Sequence, residues 1–384
     1  MRTNDFALAI EAIGQKTTIG AISSADGNLL HAIRINQGAS YHTTSRESLR
    51  PLVYDLFSSL LGFVGVGIDE CDRYRACIGL SGVTFDYDRQ HGLPHLLRSI
   101  GIPKRARIIC TGDAEIAFYG QTQGNFGSGI LCHSGSTAFA CNESRFIRIG
   151  GWGPAFGDEG SAFWMGRETL RTIAGQFDTA GSISNSVLWE EVNKWFSDKD
   201  KSDDDLADGV DYWVRYTDRI RGAGCDLRIA LFHFVHRLIR TESFSTRRAI
   251  ICHVVRPLMQ AWEKGDLFAS QIVYSAGVHL AEQYQLAIQR SGLDPSSGPI
   301  VLYGGVFFYH HNFSLLVERL IQERLGSSDL RFIHHGISES VRPVCGALLL
   351  ALGNAGGSHY TMPERTVIEN VLRTSRLHPI LEND

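Results

Sequence analysis

What this sequence lacks narrows its function before any motif is read. No stretch approaches the roughly 20 consecutive apolar residues that a membrane-spanning helix requires, so a bilayer-crossing chain is not expected. The opening "MRTNDFALAIEA" has one arginine and no long apolar run, and it passes directly into a strand-like pattern. It does not read as a signal peptide, and a cytoplasmic protein is expected. Nor is there an excess of positive charge: 37 Lys and Arg face 41 Asp and Glu, a formal net charge of -4. Without a basic field, neither a nucleic-acid backbone nor an anionic membrane surface is an expected partner.

Several catalytic signatures are missing as well. "GLSGV", Gly79 to Val83, lacks the Gly-x-Ser-x-Gly elbow of a serine hydrolase. Lys16-Thr17 has the ending of a P-loop, but Gln15 stands where its second glycine should be, in a hairpin rather than before a helix. The histidine pairs in "YHHN" and "IHHG" have no cysteines or carboxylates at zinc-ligand spacing. Eight cysteines are scattered along the chain, several inside apolar runs, and read as buried thiols rather than a disulfide framework.

What is present is an ordinary globular composition, 43% hydrophobic and 20% charged, over 384 residues. That length suits two lobes better than one core. "FALAIEAIG", "TTIGAISSA" and "NLLHAIRIN" read as three antiparallel strands, with Asp26-Gly27 as the tight turn between the last two. "SRESLRPLVYDLFSSLLGFVG" reads as one helix with Ser45 as N-cap. "YRACIGLSG" and "ARIICTGD" are buried strands, "GLPHLLRSIGI" a short helix between them, and "AEIAFYGQTQ" the start of another. The pattern then begins again: "SGILCHSGS", "TAFAC" and "RFIRIGG" form a second meander about 120 residues after the first. Helical patterns dominate from Asp158 to about Gly292, followed by the strand "PIVLYGGV", a helix in "NFSLLVERLIQERL", the strand "LRFIHHG" and the small-residue helix "VRPVCGALLLALG". The charged stretch from Ser197 to Gly209 reads as a solvated loop.

The expected fold is therefore α/β and duplicated, with a helical insertion in the second half. Two meanders with matched small-residue turns, "EAIGQKT" and "CHSGST", suit a nucleotide clamped between lobes, because exposed backbone amides in such turns form anion-binding concavities. After the second meander, "GGWGPAFGDEGSAFWMG" crowds glycines, two tryptophans and an acidic pair into Gly150 to Gly166.

With these residues in view, the chain resembles the N-acetylglucosamine kinase and BadF/BadG-type ATPase group of the actin, hexokinase and Hsp70 superfamily, from Phe6 to about Gly353. "GGWG...GDEGSA" is similar to that group's sugar-site motif. The resemblance implies an actin-like (ribonuclease H-like) ATPase fold with two lobes around a nucleotide and sugar cleft. It divides into an N-terminal lobe at 1-116, a C-terminal lobe with the helical insertion at 117-353, and a C-terminal extension at 354-384. It implies ATP and Mg2+ as cofactors, a small-molecule sugar substrate and a homodimer.

Carried over residue by residue, the resemblance makes Asp113 of "TGDAE" the catalytic base. It makes Glu11, Gly14, Gln15 and Lys16 the first phosphate loop, with Glu11 on the metal. Ser134, Gly135 and Ser136 are the second loop, and Gly304 and Gly305 lie near the base and ribose. Tyr41, Ser81, Gly151, Trp152, Gly153 and Asp158 are assigned to the sugar. Four positions depart from the pattern. Ala12 and Ile13 replace glycines and could crowd a phosphate, His133 replaces another glycine, and Tyr41 stands where an asparagine would supply an amide's paired donor and acceptor.

In chemical terms, phosphoryl transfer needs placement, charge neutralisation and a base for the attacking hydroxyl. Asp113 suits the base, with an N-cap of the following helix as the plainer alternative. Glu11 suits magnesium, which needs only one or two carboxylates, with a salt bridge as the alternative. Trp152 offers a flat apolar face and Asp158 a charge-assisted acceptor; core packing and helix capping are their alternatives. Glu159 reads as a first-turn helical residue, and Trp164 as a core residue. The expected function is an ATP-dependent sugar kinase acting on N-acetylglucosamine, glucosamine or a related amino sugar. The alternative is a degenerate member that binds sugar or nucleotide as a sensor. An activator ATPase bridging an iron-sulfur cluster ranks last, for want of a glycine-flanked cysteine pair.

Overall fold

The computed structural model describes residues 5–13, 17–42, 44–83, 87–122, 127–141, 146–180, 186–197, 231–232, 235–236, 244–334, 343–356, 359–361 and 363–376. Three apolar runs open the first sheet as the antiparallel strands β1 (Phe6–Ile13), β2 (Thr17–Ser24) and β3 (Leu29–Ile35). The turn before β3 is local chemistry: the Asp26 carboxylate accepts from the Ser24 hydroxyl and the Asn28 amide, and Gly27 takes a φ of 86°. β4 (Tyr74–Leu80) then lies parallel to β1, and β5 (Ile108–Thr111) parallel to β4.

The second sheet repeats this plan. β6 (Gly127–Cys132), β7 (Ser136–Cys141) and β8 (Phe146–Gly150) are antiparallel, while β9 (Ile300–Tyr303) runs parallel to β6 and β10 (Phe332–His334) parallel to β9. The strand orders, β3-β2-β1-β4-β5 and β8-β7-β6-β9-β10, are the same order twice. The duplicated two-lobe α/β fold expected from the sequence is what is observed.

The helices depart in detail. The run expected as one helix after Ser45 consists of α1 (Arg46–Leu49), a π-helical stretch at Arg50–Asp55 and α2 (Leu56–Phe63). Ser45 caps it as expected, accepting from the Ser48 amide at 3.2 Å. Pro51 has no N–H to donate, and the ladder widens around it. A second π-helical stretch, Asp88–Gly92, leads into α3 (Leu93–Ser99), and α4 (Asp113–Thr122) follows β5.

The insertion contains α5 (Ala162–Ala180), α6 (Val187–Ser197), α7 (Phe244–His253), α8 (Val255–Glu263) and α9 (Leu267–Ser291). α5 begins at Ala162 rather than at Asp158, because Asp158 and Gly160 have φ of 59° and 80°, which a right-handed helix cannot contain. "RRAIICHVVRPLMQAWEKG" forms two helices rather than one, α7 and α8, with Pro257 lacking a donor in the first turn of α8. α10 (Gly305–Tyr309), α11 (His311–Leu325) and α12 (Pro343–Leu352) complete the second lobe's run. A short hairpin, β11 (Asn354–Gly356) and β12 (His359–Thr361), precedes α13 (Arg365–Arg376). The Asn142 to Ser144 turn and nearly all of the charged stretch from Ser197 to Gly209 lie outside the described residues.

Two helices join the lobes. α4 and α12 cross between the sheets in a core that gathers Ala7 and Ala9 of β1, Phe118 of α4, Phe139 of β7, Val301 of β9 and Leu348 of α12. α12 follows the second sheet in sequence but packs on β1 and β4 of the first. α13 returns to the first sheet as well: Val371 is fully buried, Thr374 Oγ1 accepts from the Leu29 amide at 2.9 Å, and the Asn370 amide donates to the Asp26 carbonyl at 2.9 Å. The described cysteines are all free, and all but Cys252 are buried. Among the described residues no helix is long and apolar enough to cross a membrane.

The crossing is tightest at Gly346, where a Cβ would collide with the Ile116 carbonyl oxygen and the Gly120 amide. Backbone atoms cannot rotate away, so Gly346→Ala is expected to destabilise the protein by about 2 kcal/mol. Urea unfolding measures this, and an unchanged midpoint would show that the helices can separate freely.

Candidate active site

In open α/β sheets, ligands bind beyond the carboxyl ends of the parallel strands. In the first lobe β1 carries Glu11, buried at 6% exposure. Its Oε2 accepts from the Val344 amide at 2.7 Å, in the first turn of α12, where the helix dipole favours a negative charge. Glu11 is thereby tied to the other lobe's helix. Ala12, whose side chain was expected to crowd the phosphate loop, points instead into the first lobe's apolar core and is fully buried. Side chains alternate along a strand, so Glu11 and Ala12 face opposite ways. Gly14, Gln15 and Lys16 lie outside the described residues.

Ser81 extends β4: its amide donates to the Ala12 carbonyl at 3.0 Å, and its carbonyl accepts from the Tyr41 amide at 2.8 Å. Tyr41 turns its ring toward the first lobe's core, and its hydroxyl lies where a Cβ on Gly92 would stand, close to Asp88. Burial, then the Asp88 charge, pushes the Tyr41 pKa up. Asp113 begins α4, half-buried, with Oδ1 accepting from the Ala114 amide at 2.9 Å. It lies close enough to His133 and Arg148 for its charge to favour the protonated form of each. Two residues on, buried Glu115 accepts from the Thr111 hydroxyl and pairs with Arg89 at 3.3 Å.

The second loop, between β6 and β7, closes on itself through the His133 amide and the Gly135 carbonyl at 2.8 Å. Among the described residues, the amides of Ser134 and Gly135 find no partner. An anion-binding turn needs donors in that state. Ser136 is used differently: its hydroxyl donates to the Glu159 carbonyl at 2.7 Å and its amide serves the Asp158 carboxylate. Asp158, 3% exposed, also receives the Gly153 amide and Arg248, whose Nη2 is 3.3 Å from Oδ2. Burial raises its pKa, and Arg248, the two amides and Arg148 oppose the rise. Asp158 is thus turned toward the loop rather than open to the cleft, and it joins the Gly153 turn to Gly135.

His133 links this loop to the glycine pair. Its Nδ1 accepts from the Gly305 amide at 2.9 Å, which leaves the neutral ring's proton on Nε2. Gly304 has a φ of 122°, and a Cβ there would enter the Cys132 backbone, so only glycine fits.

Beside the loop lies a cleft of about 810 Å³, with His42, Gly82 and Arg89 on the first lobe and β8 through Trp152, Leu286 and Arg290 on the second. Gly151 and Gly153 have φ of 70° and 85°, and Gly151 comes so close to the Arg148 guanidinium that a Cβ would overlap it. Trp152 is 71% exposed, not a core residue. Trp164, one turn into α5, is half-buried against the second lobe's core, as expected. Glu159 precedes α5 and is not part of its first turn.

The cleft also contains residues that sequence reasoning missed. His42, not Tyr41, lines it, together with Arg89, Arg148 and Arg290. The signal available for Arg148 was a charge within the apolar strand "RFIRIGG"; Arg89, Arg248 and Arg290 had no local mark.

Burial lowers the His133 pKa, and burial followed by the Arg256 charge pushes His310 down to about 4. A histidine held neutral contributes stability that is complete above its unfolded value of 6.5 and is lost as pH falls below it. The urea midpoint is therefore expected to drop between pH 6.5 and about 4. His133→Asn, which keeps an acceptor near Gly305, and His310→Gln should each make the drop shallower. A slope as steep as in the parent protein would count against neutral rings.

Comparison with known proteins agrees with this architecture. The profile of the BadF/BadG/BcrA/BcrD ATPase family matches residues 13–351. The N-acetylmuramic acid/N-acetylglucosamine kinase of Clostridium acetobutylicum is 30% identical over 303 residues, 78% of this chain and 85% of that protein. The N-acetyl-D-glucosamine kinase of Dictyostelium discoideum is 26% identical over 194 residues, 48% of this chain and 60% of its own. Among solved structures, a Chromobacterium violaceum protein provisionally assigned as an N-acetylglucosamine kinase shares the fold at a TM-score of 0.55 and 17% identity, covering 90% of this chain and 99% of its own. With the duplicated sheets and the family profile spanning both lobes, the chain belongs to the BadF/BadG/BcrA/BcrD ATPase family.

Proposed function

We propose that the protein is an ATP-dependent kinase that phosphorylates a hydroxyl of N-acetylglucosamine, glucosamine or a related amino sugar. The observation that carries this reading is the position of Asp113, whose charge reaches both His133 beside the second loop and Arg148 in the cleft wall. A carboxylate there can take the proton of a sugar hydroxyl as its oxygen bonds to the γ-phosphorus and ADP leaves. The unpartnered amides of Ser134 and Gly135 suit the phosphates of ATP. Gly304 and Gly305 suit its base and ribose, with Gly14, Gln15 and Lys16 assigned to the first phosphate loop.

Magnesium fits the donor set: Glu11 is a buried carboxylate aligned by the Val344 amide, and one or two carboxylates are enough. Glu11 would hold the ion, which neutralises phosphate charge when bound. Trp152, Gly151, Gly153 and Ser81 form the sugar wall in this reading. Asp158 acts as a positioning residue that fixes wall and loop together, and Ser136 fixes the loop from behind. Tyr41 sets His42 at the cleft. A cytoplasmic homodimer, with lobes at 1-116 and 117-353 and a C-terminal extension at 354-384, completes the proposal.

The test is ATP consumption across a panel of amino sugars, with Asp113→Asn as control. That substitution is expected to lower kcat by about 10²- to 10⁴-fold while calorimetric ATP binding persists. No sugar-dependent turnover on any panel member would sink the kinase, and tight sugar binding without turnover would identify a sensor.

A further inference from the structure

His133 has each of its polar groups engaged except one. Its amide donates to the Gly135 carbonyl at 2.8 Å, its carbonyl accepts from the Ala162 amide at 2.9 Å, and its Nδ1 accepts from the Gly305 amide at 2.9 Å. The ring stands edge-on to Tyr303, with centroids 5.8 Å apart and planes at 89°. Backbone and ring plane are therefore both fixed. The remaining group is Nε2, which carries the proton of the neutral ring because Nδ1 is an acceptor. Among the described residues Nε2–H has no partner, and Nε2 is not one of the enclosed polar atoms left without one, so it opens onto accessible space.

The place of the ring gives that donor a use. His133 follows the carboxyl end of β6, and Gly304 and Gly305 follow the carboxyl end of β9, its parallel neighbour, where ligands of such sheets bind. Burial lowers the His133 pKa and the Asp113 charge opposes the shift, so the ring lies within reach of that carboxylate yet stays neutral at physiological pH. The backbone amide at this position is turned inward to Gly135 and cannot serve an anion, whereas the next two amides, of Ser134 and Gly135, have no partner among the described residues. A glycine, which the family pattern has here, would add no further donor. The histidine adds one, without adding charge.

We propose that the His133 Nε2–H donates to an oxygen of the γ-phosphate of ATP, beside the Ser134 and Gly135 amides, and that His133 is a catalytic residue of the transfer. This rests on the sugar-kinase reading and deepens it. As the sugar hydroxyl oxygen bonds to the γ-phosphorus, the bond to the β-phosphate oxygen breaks, ADP leaves with the electron pair, and Asp113 takes the hydroxyl proton. His133 keeps its own proton throughout and holds a γ-phosphate oxygen in place. A donor fixed before the reaction needs no reorganisation during it, and one such donor contributes about 10²- to 10³-fold to kcat. ADP has no γ-phosphate and leaves this contact unmade.

The experiment measures kcat and KM for ATP, together with inhibition by ADP, in the parent protein, His133→Asn and His133→Gln. Asparagine keeps an acceptor near the Gly305 amide and has nothing at the Nε2 position. Glutamine brings an amide N–H near the Nε2 position and gives up the Gly305 link. In His133→Asn, kcat/KM for ATP is expected to fall about 10²-fold, while the inhibition constant of ADP stays within about threefold of the parent's. His133→Gln should recover about tenfold of the loss, the size of one charge-assisted contact. Equal weakening of ATP and ADP would assign the ring to the Gly305 turn alone and overturn the proposal. So would an unchanged kcat/KM in His133→Asn, or a glutamine variant no better than the asparagine one. If no sugar turns over in the parent, the kinase reading fails by itself, and calorimetric binding of ATP and ADP still decides the donor. His133→Asn should then narrow the preference for ATP over ADP about tenfold; an unchanged ratio, or no binding of ATP to the parent, overturns the proposal.

Discussion

The crossing of α4 and α12 is the contact on which the rest of the molecule depends. Gly346 lets α12 approach until backbone meets backbone at Ile116 and Gly120. Both helices carry chemistry at their N-terminal ends. α4 starts with Asp113, and the first turn of α12 presents the Val344 amide to Glu11. One close approach therefore sets Asp113 and Glu11 on a shared frame. Each lobe also buries part of its core against the other.

A second tie runs through Asp158. Its left-handed backbone ends the glycine-rich turn and forces α5 to wait until Ala162. Its buried carboxylate gathers Arg248 and the amides of Ser136 and Gly153. A carboxylate removed from water needs such partners. The result joins the Gly153 turn to the second loop, and His133 joins that loop to Gly305. Turn, loop and glycine pair are thus held by three short polar links rather than by one continuous element.

Much of the fold was legible beforehand. Apolar runs with tight turns marked both meanders, and their recurrence marked the duplication. The motif at Gly150 to Gly166 pointed to the cleft, and Asp113 to the start of a helix after a buried strand. The details that failed share a cause. Pro51 widened a helix, Pro257 helped to split another, and Asp158 adopted a φ that periodicity does not encode. Tyr41, expected at the sugar, packs its ring against the first lobe's core, and its neighbour His42 lines the cleft.

By itself the sequence determined the order of elements and the repeat, because these follow from local sterics and from the alternation of apolar residues. Tertiary structure alone decided which charges meet. Arg89, Arg148 and Arg290 stand far apart in the chain and gather around one cleft, and Glu11 finds Val344 more than three hundred residues away (|i−j| = 333). Coulomb and hydrogen-bond contacts depend on distance in space, and only the packing of the two lobes sets that distance.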